Sequence, residues 1–551
     1  QFLYADLRPG ADPDAAERAF WEELDRLASE PVGDRELQRA KNLLLSEFIQ
    51  DQATALDLAE RIGEAAVSGG LHLFTGYPDG VRRVTPADVK AAAATLSRDR
   101  ANVGLLWPKQ APEGAAMHSS LPRRAARSLA ASRPSARSRP SPPRAPAPRF
   151  APLPVRVERL PNGMKVMLLE NRTLPTVTLA TQLRAGSSDE PARKAGLAHF
   201  TAWMLDEGAG TRSEAEISEA IEFAGASLAA AADRETTTVT LRALTHTLPD
   251  LLPIYADLIR RPTFPADRLE LQRERVIASI RADEEDPGQV ARRIFRATLF
   301  GEEHPQGRPV TGSEQSVRRL ARADLVEFHR AFYRPERATL VAVGDFSADE
   351  MLAQLRRLFA DWQPPGPPGE RPPLPTPPRL QGARTVRVPM ASAQAQILLG
   401  HPGIRRSDPD YYALRVLDMI LGEGGAGGFT ARIPQQIRDV QGLAYSVFAT
   451  ITATAHLQAG PFFAAMGTEP GNVDRAVQSL LREIRRIRER PVTETELREA
   501  IDYLTASYVF HFQTNDQLAR YLLDTELLGL GIDYRQRYPL QLRREIGRAH
   551  V

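Results

Sequence analysis

Residues 211–243 read TRSEAEISEAIEFAGASLAAAADRETTTVTLRA and hold one helix signal followed by one strand signal. Ser213 and Glu216 have the spacing of a capping box, and two isoleucines follow one helical turn apart. The run at 236–243 is rich in threonine and valine, which favours a strand. The stretch therefore predicts a helix over 211–224, then a strand over 236–243.

The same two patterns recur along most of the chain. Further strands are predicted at 166–169, 176–184, 339–343, 394–399, 444–454 and 462–466. Further helices are predicted at 248–261, 266–283, 323–332, 348–361, 411–421, 473–488 and 494–508. Strands and long helices in this order predict an α+β fold, with mixed sheets covered by helices on one face.

Composition bounds the class of protein. The chain has 551 residues, which is too many for one domain. Its composition, with 42% hydrophobic and 25% charged residues, is typical of globular proteins. The lack of cysteine excludes disulfides, thiolate metal sites and a thiol nucleophile. Residues 108–154 carry a local charge of +8 while the whole chain carries +2, so the remainder is mildly acidic and nucleic-acid binding is not indicated.

Two proline-rich stretches divide the chain. Residues 108–154 consist mainly of Pro, Ala, Arg and Ser and predict a disordered linker. Residues 364–378 contain nine prolines in fifteen positions and predict a semi-rigid spacer. Three globular pieces remain, at 1–107, 155–363 and 379–544.

The first and third pieces are related by an internal repeat. A shift of 460 residues pairs Phe2 with Phe462, Ala5 with Ala465, Pro31-Val32 with Pro491-Val492, Glu36-Leu37 with Glu496-Leu497, and Ala40 with Ala500. A period this long indicates duplicated domains. The repeat stops after Arg544, and 545–551 (EIGRAHV) resembles a translated sequencing adapter, so we predict an artefact there. We expect the chain to be an internal fragment of a longer reading frame.

Residues 155–544 resemble the zinc metallopeptidases of the pitrilysin, insulinase and mitochondrial processing peptidase group. The matching strings are LPNGMKV at 160–166, AGSSDEP at 185–191, GLAHF at 196–200, HPQGRP at 304–309, FYRP at 332–335, VGD at 343–345, LG at 421–422 and RDVQGLAYSV at 438–447. The resemblance implies a clam-shell of two similar α+β halves, 155–363 and 379–544, joined by the spacer. It identifies 1–107 as the C-terminal part of a preceding unit of the same kind.

The implied zinc site departs from the family pattern. The group uses His-x-x-Glu-His on a first-half helix, with the Glu activating the zinc-bound water and a later Glu completing the coordination. Here His199 is kept, but Ala202 takes the place of the base and Trp203 that of the second ligand. Ser279 stands where the third ligand is expected, and Asp283 one turn on is the one obvious substitute. We therefore predict that this chain has no metal site and no peptidase activity of its own.

The family's second feature is kept. Arg438 and Tyr445 stand seven residues apart, and the resemblance implies that they hold substrate near the scissile peptide. A guanidinium and a phenol can both donate hydrogen bonds to a peptide carbonyl. The alternative is that Tyr445 merely begins a strand and Arg438 is a solvated helix end. The glycine-rich run at 422–428 follows a helix and predicts a turn, and the resemblance leaves a substrate-guiding role open for it.

The preferred interpretation is an inactive, substrate-binding unit that completes the peptide-binding chamber of a zinc-bearing partner unit. That partner would be fused upstream or separate, zinc is expected only there, and the other ligand is a peptide. One alternative is a purely structural subunit, like the core proteins of the respiratory complex that share the fold. Another is one part of a fused active metalloendopeptidase whose zinc site lies upstream. The sequence leaves the compartment open, although the resemblance makes a periplasmic or exported setting plausible.

Overall fold

The computed structural model describes residues 4–5, 7, 11–104, 149–423 and 431–548. Most of the expected linker at 108–154 lies outside these ranges, as do most of the glycine-rich run at 422–428 and the end of 545–551. The chain divides into two compact units. One comprises Gln1–Gln38 with Asp79–Pro146, and the other comprises Arg39–Pro78 with Ala147–Val551.

The part before the linker is helical throughout its described elements. Its helices are α1 (Pro13–Ser29), α2 (Asp34–Gln50), α3 (Ala55–Ser68), α4 (His72–Thr75), α5 (Tyr77–Arg83) and α6 (Pro86–Ala93). Local signals fix their ends. Thr54 and Thr85 begin α3 and α6 through capping boxes, and Gly69, with φ 146°, ends α3.

A six-stranded mixed sheet organises the first half of residues 155–544, which is residues 155–363. Its strands are β1 (Arg156–Arg159), β2 (Lys165–Glu170), β3 (Thr176–Leu183), β6 (Ser227–Ala232), β7 (Thr237–Leu244) and β8 (Ala338–Gly344); β4 (Gly208–Ala209) and β5 (Arg212–Ser213) form a separate hairpin. The order is β1-β2-β8-β3-β7-β6, and only the β2–β8 pair of this sheet is parallel. The expected strands at 166–169, 176–184, 236–243 and 339–343 are confirmed within two residues at each end. Strand β6 went unpredicted because its alanines favour helix, and pairing with β7 overrides that preference.

Helices cover one face of this sheet. They are α7 (Leu197–Trp203), α8 (Glu214–Phe223), α9 (Leu248–Arg260), α10 (Ala266–Glu285), α12 (Glu314–Arg319), α13 (Arg322–Phe332) and α14 (Ala348–Phe359). Their shared core includes Leu168, Leu179 and Tyr255, all buried. Helix α11 (Pro287–Phe300) follows α10 and packs instead against the second half, where Phe295 meets Phe463. The expected capping box of Ser213 and Glu216 is present, and α8 begins later than expected because residues 212–213 pair as β5.

The second half has a smaller antiparallel sheet. Strands β9 (Ala395–Pro402), β10 (Val447–Thr450) and β11 (Pro461–Thr468) are ordered β10-β11-β9. The helices are α15 (Tyr411–Asp418), α16 (Arg432–Pro434), α17 (Val473–Glu489), α18 (Glu494–Ser507), α19 (Asn515–Leu527) and α20 (Tyr534–Arg548). Two π-helical turns, Met419–Glu423 and Gln435–Val440, follow α15 and α16.

The expected strand at 444–454 is wrong in length. Strand β10 stops at Thr450, and a 3-10 turn follows at Thr452–Thr454. The buried carboxylate of Asp418 accepts the backbone N–H groups of Ile451 at 2.9 Å and Thr452 at 2.8 Å. Because those groups bond the carboxylate, they are not available to a longer ladder.

The expectation that helices cover only one face is also wrong for the six-stranded sheet. Helix α19, from the second half, packs on the other face of this sheet, which we call the outer face. Apolar side chains line the contact: Met167, Leu169, Ala180, Val341 and Val343 from the sheet, with Leu518, Ala519, Leu522 and Leu523 from α19. Asp516 adds an ion pair to Arg242 and accepts a hydrogen bond from Thr178 Oγ1 at 2.9 Å.

A second junction between the halves forms at the β6–β7 turn. The buried carboxylate of Glu235 bonds the ring of His456 and accepts the backbone N–H groups of Leu457 and Gln458, the latter at 2.7 Å. Gln458 also donates to Ser188 Oγ at 2.9 Å. Glu235 raises the pKa of His456, so the protonated ring is favoured in the folded protein.

The spacer is anchored to the first half by an ion pair. Arg371 Nε lies 2.8 Å from Oδ1 of Asp189, whose side chain is fully buried. Asp189 also accepts the backbone N–H of Gly186 at 2.9 Å, and Arg337 donates to the carbonyl of Gly369 at 2.6 Å. The proline-rich stretch therefore follows a defined path across the first half. Among the described residues, no helix is both long and apolar enough to cross a membrane.

We expect alkaline pH to weaken the Glu235–His456 junction. The raised pKa means that its contribution is complete below about pH 6.5, the usual value for histidine, and is lost as the pH rises through the higher folded-state pKa. The urea midpoint should therefore fall more steeply with pH in the wild type than in His456→Gln, which keeps a polar side chain but does not titrate. Identical pH profiles for the two proteins would contradict this.

Removing the anchor of the spacer should destabilise the protein. Asp189→Ala leaves Arg371 without its carboxylate, and because Arg371 keeps some contact with water we expect a loss of about 2–3 kcal/mol in the free energy of unfolding. The matched control is Asp474→Ala, which breaks the Arg387–Asp474 pair, 82% and 86% exposed. That change should cost less than about 0.5 kcal/mol. Equal losses in urea denaturation would show that the Asp189 pair is no stronger than a surface pair.

Candidate functional site

Helix α7 carries three of the candidate positions, His199, Ala202 and Trp203. The helix begins at Gly196, whose φ of 94° lies in the left-handed region and whose missing side chain leaves room for the Thr311 carbonyl. A Cβ at Gly196 would lie 2.6 Å from that oxygen, so no other residue fits there without displacing backbone. The start of the helix is therefore fixed by backbone packing.

Glu190 caps this helix from the preceding loop. Its carboxylate accepts the backbone N–H groups of Gly196 at 2.9 Å and Ala198 at 2.8 Å, which are free donors at a helix N-terminus. Complete burial raises the pKa of Glu190 to about 8, while the backbone donors and Arg308 act in the opposite direction. Arg308 also donates to the carbonyl of Glu190 at 3.1 Å. Sequence reasoning quoted both residues in matching strings but missed this role, because no local pattern marks a carboxylate six residues before a helix as its cap, and Arg308 is over a hundred residues away.

The imidazole of His199 packs against an aromatic ring. The centroids of His199 and Trp203 are 5.2 Å apart with an interplanar angle of 36°. Burial lowers the pKa of His199, so its ring is neutral at neutral pH. Ala202 is fully buried, whereas Trp203 is partly exposed. Position 202 thus contributes a methyl group to the core rather than a base.

The fourth position, Ser279, lies on α10. That helix packs beside α7 through its buried side, and Arg273 lies over the ring of Phe200 at 5.6 Å. Ser279 and Asp283 are both on the exposed side of α10.

The side chains at the four positions do not fit a zinc ion. Together they offer one imidazole and one hydroxyl, whereas protein zinc sites use three or four nitrogen, sulfur or carboxylate ligands. Across the ranges that the structure describes, no three His, Asp or Glu side chains are grouped closely enough to hold a metal ion.

Arg438 lies in the π-helical turn Gln435–Val440, a type of turn that is frequent at functional sites. Ile437 is fully buried and fixes the turn to the second-half core. The guanidinium of Arg438 pairs with Asp439, with Nε 2.8 Å from Oδ1. Asp439 first, and Tyr445 as a lesser cause, raise the pKa of Arg438, so its charge is secured.

Tyr445 lies in a bend two residues before β10, with its side chain 91% exposed. Its neighbours on both sides, Leu443 and Val447, are buried in the second-half core. The carbonyl of Leu443 also accepts a hydrogen bond from Thr468 Oγ1 at 2.6 Å. The bend therefore presents the phenol to solvent from an anchored backbone.

The two pairs differ in what they can do. His199 and Trp203 form a packed aromatic contact, in which the imidazole of His199 is the one group that can bind a metal. Arg438 supplies a largely buried cation and Tyr445 an exposed phenol, and such donors suit the carbonyl oxygens of an extended peptide.

Comparisons with known proteins agree with this geometry. Residues 165–313 match the family described as insulinase (peptidase family M16), and residues 319–504 match the peptidase M16 inactive domain. A protein of Mycobacterium leprae named as an uncharacterised zinc protease is 30% identical over 369 residues, 67% of this chain and 81% of its own length. A probable mitochondrial-processing peptidase subunit beta of Arabidopsis thaliana is 25% identical over 66% of this chain and 68% of its own length.

A solved structure extends the likeness to three dimensions. The peptidase M16 inactive domain from Pseudomonas fluorescens superimposes with a TM-score of 0.65 at 25% identity, covering 72% of this chain and 93% of that one. Sequence and fold thus confirm the expected resemblance, and the chain belongs to the M16, or insulinase, family of peptidases.

Proposed function

We propose that this chain is a zinc-less, substrate-binding unit that completes the peptide-binding chamber of a zinc-bearing M16 partner unit. The observation that carries the proposal is the contrast between its two candidate pairs. Tyr445 is presented to solvent from an anchored bend and Arg438, 19% exposed, lies in an anchored turn, while the helix that would bind zinc offers one imidazole.

The composition of α7 supports an inactive unit. A metallopeptidase needs a base beside the metal-bound water, and the side chain at 202 is a buried methyl group that accepts no proton. The indole of Trp203 fills the space next to His199. The helix is nevertheless held firmly by Glu190 and Gly196, so loss of the ligands has not loosened the fold around them.

The second-half pair supports a role in binding peptide. A phenol exposed as fully as that of Tyr445 contributes little to the core, so its position before β10 is better explained by a ligand. The Asp439 carboxylate holds one side of the Arg438 guanidinium, and a guanidinium has five N–H donors in total. A peptide carbonyl close to both residues would receive charge-assisted hydrogen bonds.

A partner unit is supported by the family and by the repeat. Members of the family often work as paired units, and one relative is named as a subunit. Helices α1, α2 and α3 begin 460 residues before α17, α18 and α19. We therefore infer that 1–107 is the C-terminal part of a preceding unit, followed by a linker at 108–154 and by the two halves at 155–363 and 379–544.

Zinc content tests the inactive assignment. The wild-type chain, expressed alone without a zinc-bearing unit and purified, should retain far less than one zinc per molecule after dialysis, because three ligand positions hold Ala, Trp and Ser. The variant Ala202→Glu/Trp203→His/Ser279→Glu should retain clearly more. Its matched control, Ala202→Glu/Trp203→His/Ser279→Ala, should retain an intermediate amount. One tightly held zinc per wild-type chain would show that a site exists elsewhere.

Turnover tests the role of the surface pair. In the assembly with a zinc-bearing unit, Arg438→Ala and Tyr445→Phe should each lower kcat/KM for a peptide by roughly 10- to 100-fold, as expected for losing one or two charge-assisted or phenolic hydrogen bonds. Folding should be unchanged, since both side chains lie outside the core. The controls are Arg490→Ala and Tyr503→Phe, which alter exposed residues of the same half. Unchanged turnover in both site variants would favour the purely structural role.

A further inference from the structure

We propose that one face of α3 docks on the outer face of the first-half sheet of the zinc-bearing partner unit. This face, the α3 face, consists of Leu58, Ala59 and Ile62. The inference rests on the proposed function, which supplies the zinc-bearing partner unit. It assigns the surface by which this chain binds that partner.

The internal repeat sets the equivalence. Helix α3 and helix α19 begin 460 residues apart, and each starts with a threonine N-cap, Thr54 and Thr514. The Leu-Ala pair at 58–59 recurs at 518–519, and both helices are followed by a glycine with positive φ. The α3 face therefore corresponds to the residues Leu518, Ala519 and Leu522 of α19.

In α19 this face is buried. Leu518, Ala519 and Leu522 pack on the outer face of the six-stranded sheet, and Leu522 has no exposed surface. The sheet offers Met167, Leu169, Ala180, Val341 and Val343 to it. One copy of the repeated helix thus shows what such a face packs against in this family of folds.

In α3 the same face is open. Ile62 is 39% exposed, Ala59 is exposed and Leu58 is half-buried among the residues that the structure describes. Leu56 on the same helix is 66% exposed. Covering these apolar side chains with another surface is favourable, because it removes them from water. The equivalent face of α19 is covered by a sheet, so the repeat indicates a sheet as the covering surface here.

The outer face of this chain's own sheet is not the partner surface. It is already covered by α19, and Asp516 of that helix pairs with Arg242. The equivalent of Asp516 in α3 is Leu56, which cannot pair with an arginine. A second copy of this chain would bury Arg242 against a leucine, which is costly. The α3 face therefore fits a sheet of a different M16 unit, with an uncharged residue at the place of Arg242.

Helix α2 attaches the segment that carries α3 to helix α8 of the first half. Asn42 Nδ2 donates to the carbonyl of Phe223 at 2.6 Å, at the end of α8. A Cβ at Gly225 would lie 2.6 Å from the Asn42 carbonyl, so the backbones meet closely. Arg39 adds an ion pair with Glu222 at 3.3 Å. The segment thus binds one unit through α2 and leaves the α3 face for the other.

Site-specific cross-linking tests the proposal. The photoreactive residue p-benzoylphenylalanine replaces Ile62 in the full chain, expressed in its native host together with its natural partner unit. The same residue at Glu60, exposed on the other side of α3, is the matched control. We expect at least 5-fold more cross-linked product from position 62, with the linked peptide, identified by mass spectrometry, lying in a first-half sheet strand of another M16 unit. A link to 165–170 or 338–344 of a second copy, or no excess over the control, would overturn it.

A second variant separates this inference from the proposed function. Leu58→Asp/Ile62→Asp alters positions that keep contact with solvent, so the circular dichroism spectrum should not change. When the chain is purified from its native host with the partner unit, the partner's zinc recovered per chain should fall by more than 10-fold. Glu60→Ala should leave recovery unchanged. Zinc recovery unaffected by the double variant would overturn the docking surface even if Arg438→Ala lowers turnover. Conversely, lost recovery with normal turnover of Arg438→Ala and Tyr445→Phe would remove the substrate-binding role and leave the docking surface.

Discussion

A buried loop at 186–190 joins four parts of the molecule through polar contacts made away from water. Asp189 holds the spacer through Arg371, and Glu190 caps the helix that carries His199. Ser188 receives a hydrogen bond from Gln458 of the second half. At Gly186 a side chain would lie 2.6 Å from the backbone of Glu235 and its neighbour, so the loop and the β6–β7 turn require this glycine. Buried polar groups are costly unless satisfied, and Ser188, Asp189 and Glu190 each bond to a different element.

This loop also holds the helix that carries His199 through contacts of the protein itself. In many small domains a bound zinc contributes folding free energy directly. Here the helix carrying His199 is positioned by the Glu190 carboxylate, by the turn at Gly196 and by packing of Phe200 in the core. The start of this helix is therefore fixed by the protein's own carboxylate, backbone and core packing.

The two halves are joined by unlike contacts. Helix α19 covers the outer face of the first-half sheet through apolar packing, which is insensitive to pH. The Glu235 junction depends on a histidine whose pKa is raised by its carboxylate partner, so its strength varies with pH. The apolar contact buries side chains of both halves, while the ionic contact fixes where the β6–β7 turn meets the loop at 456–458. The repeated helix α3 has an equivalent apolar face but no partner for it within the described residues.

The sequence by itself determined the α+β class, most strands and helices, the capping box at Ser213 and the family. These follow from residues close together in the chain, whose periodicity and caps act locally. It also predicted, through the family resemblance, that Ala202 and Trp203 stand where metal-binding side chains are expected. Only the tertiary structure decided that α19 covers the second face of the sheet, and that Asp418 ends β10 early by bonding to backbone N–H groups. Those outcomes depend on contacts between residues more than thirty positions apart, and no local pattern records which distant surface a helix or a carboxylate will meet.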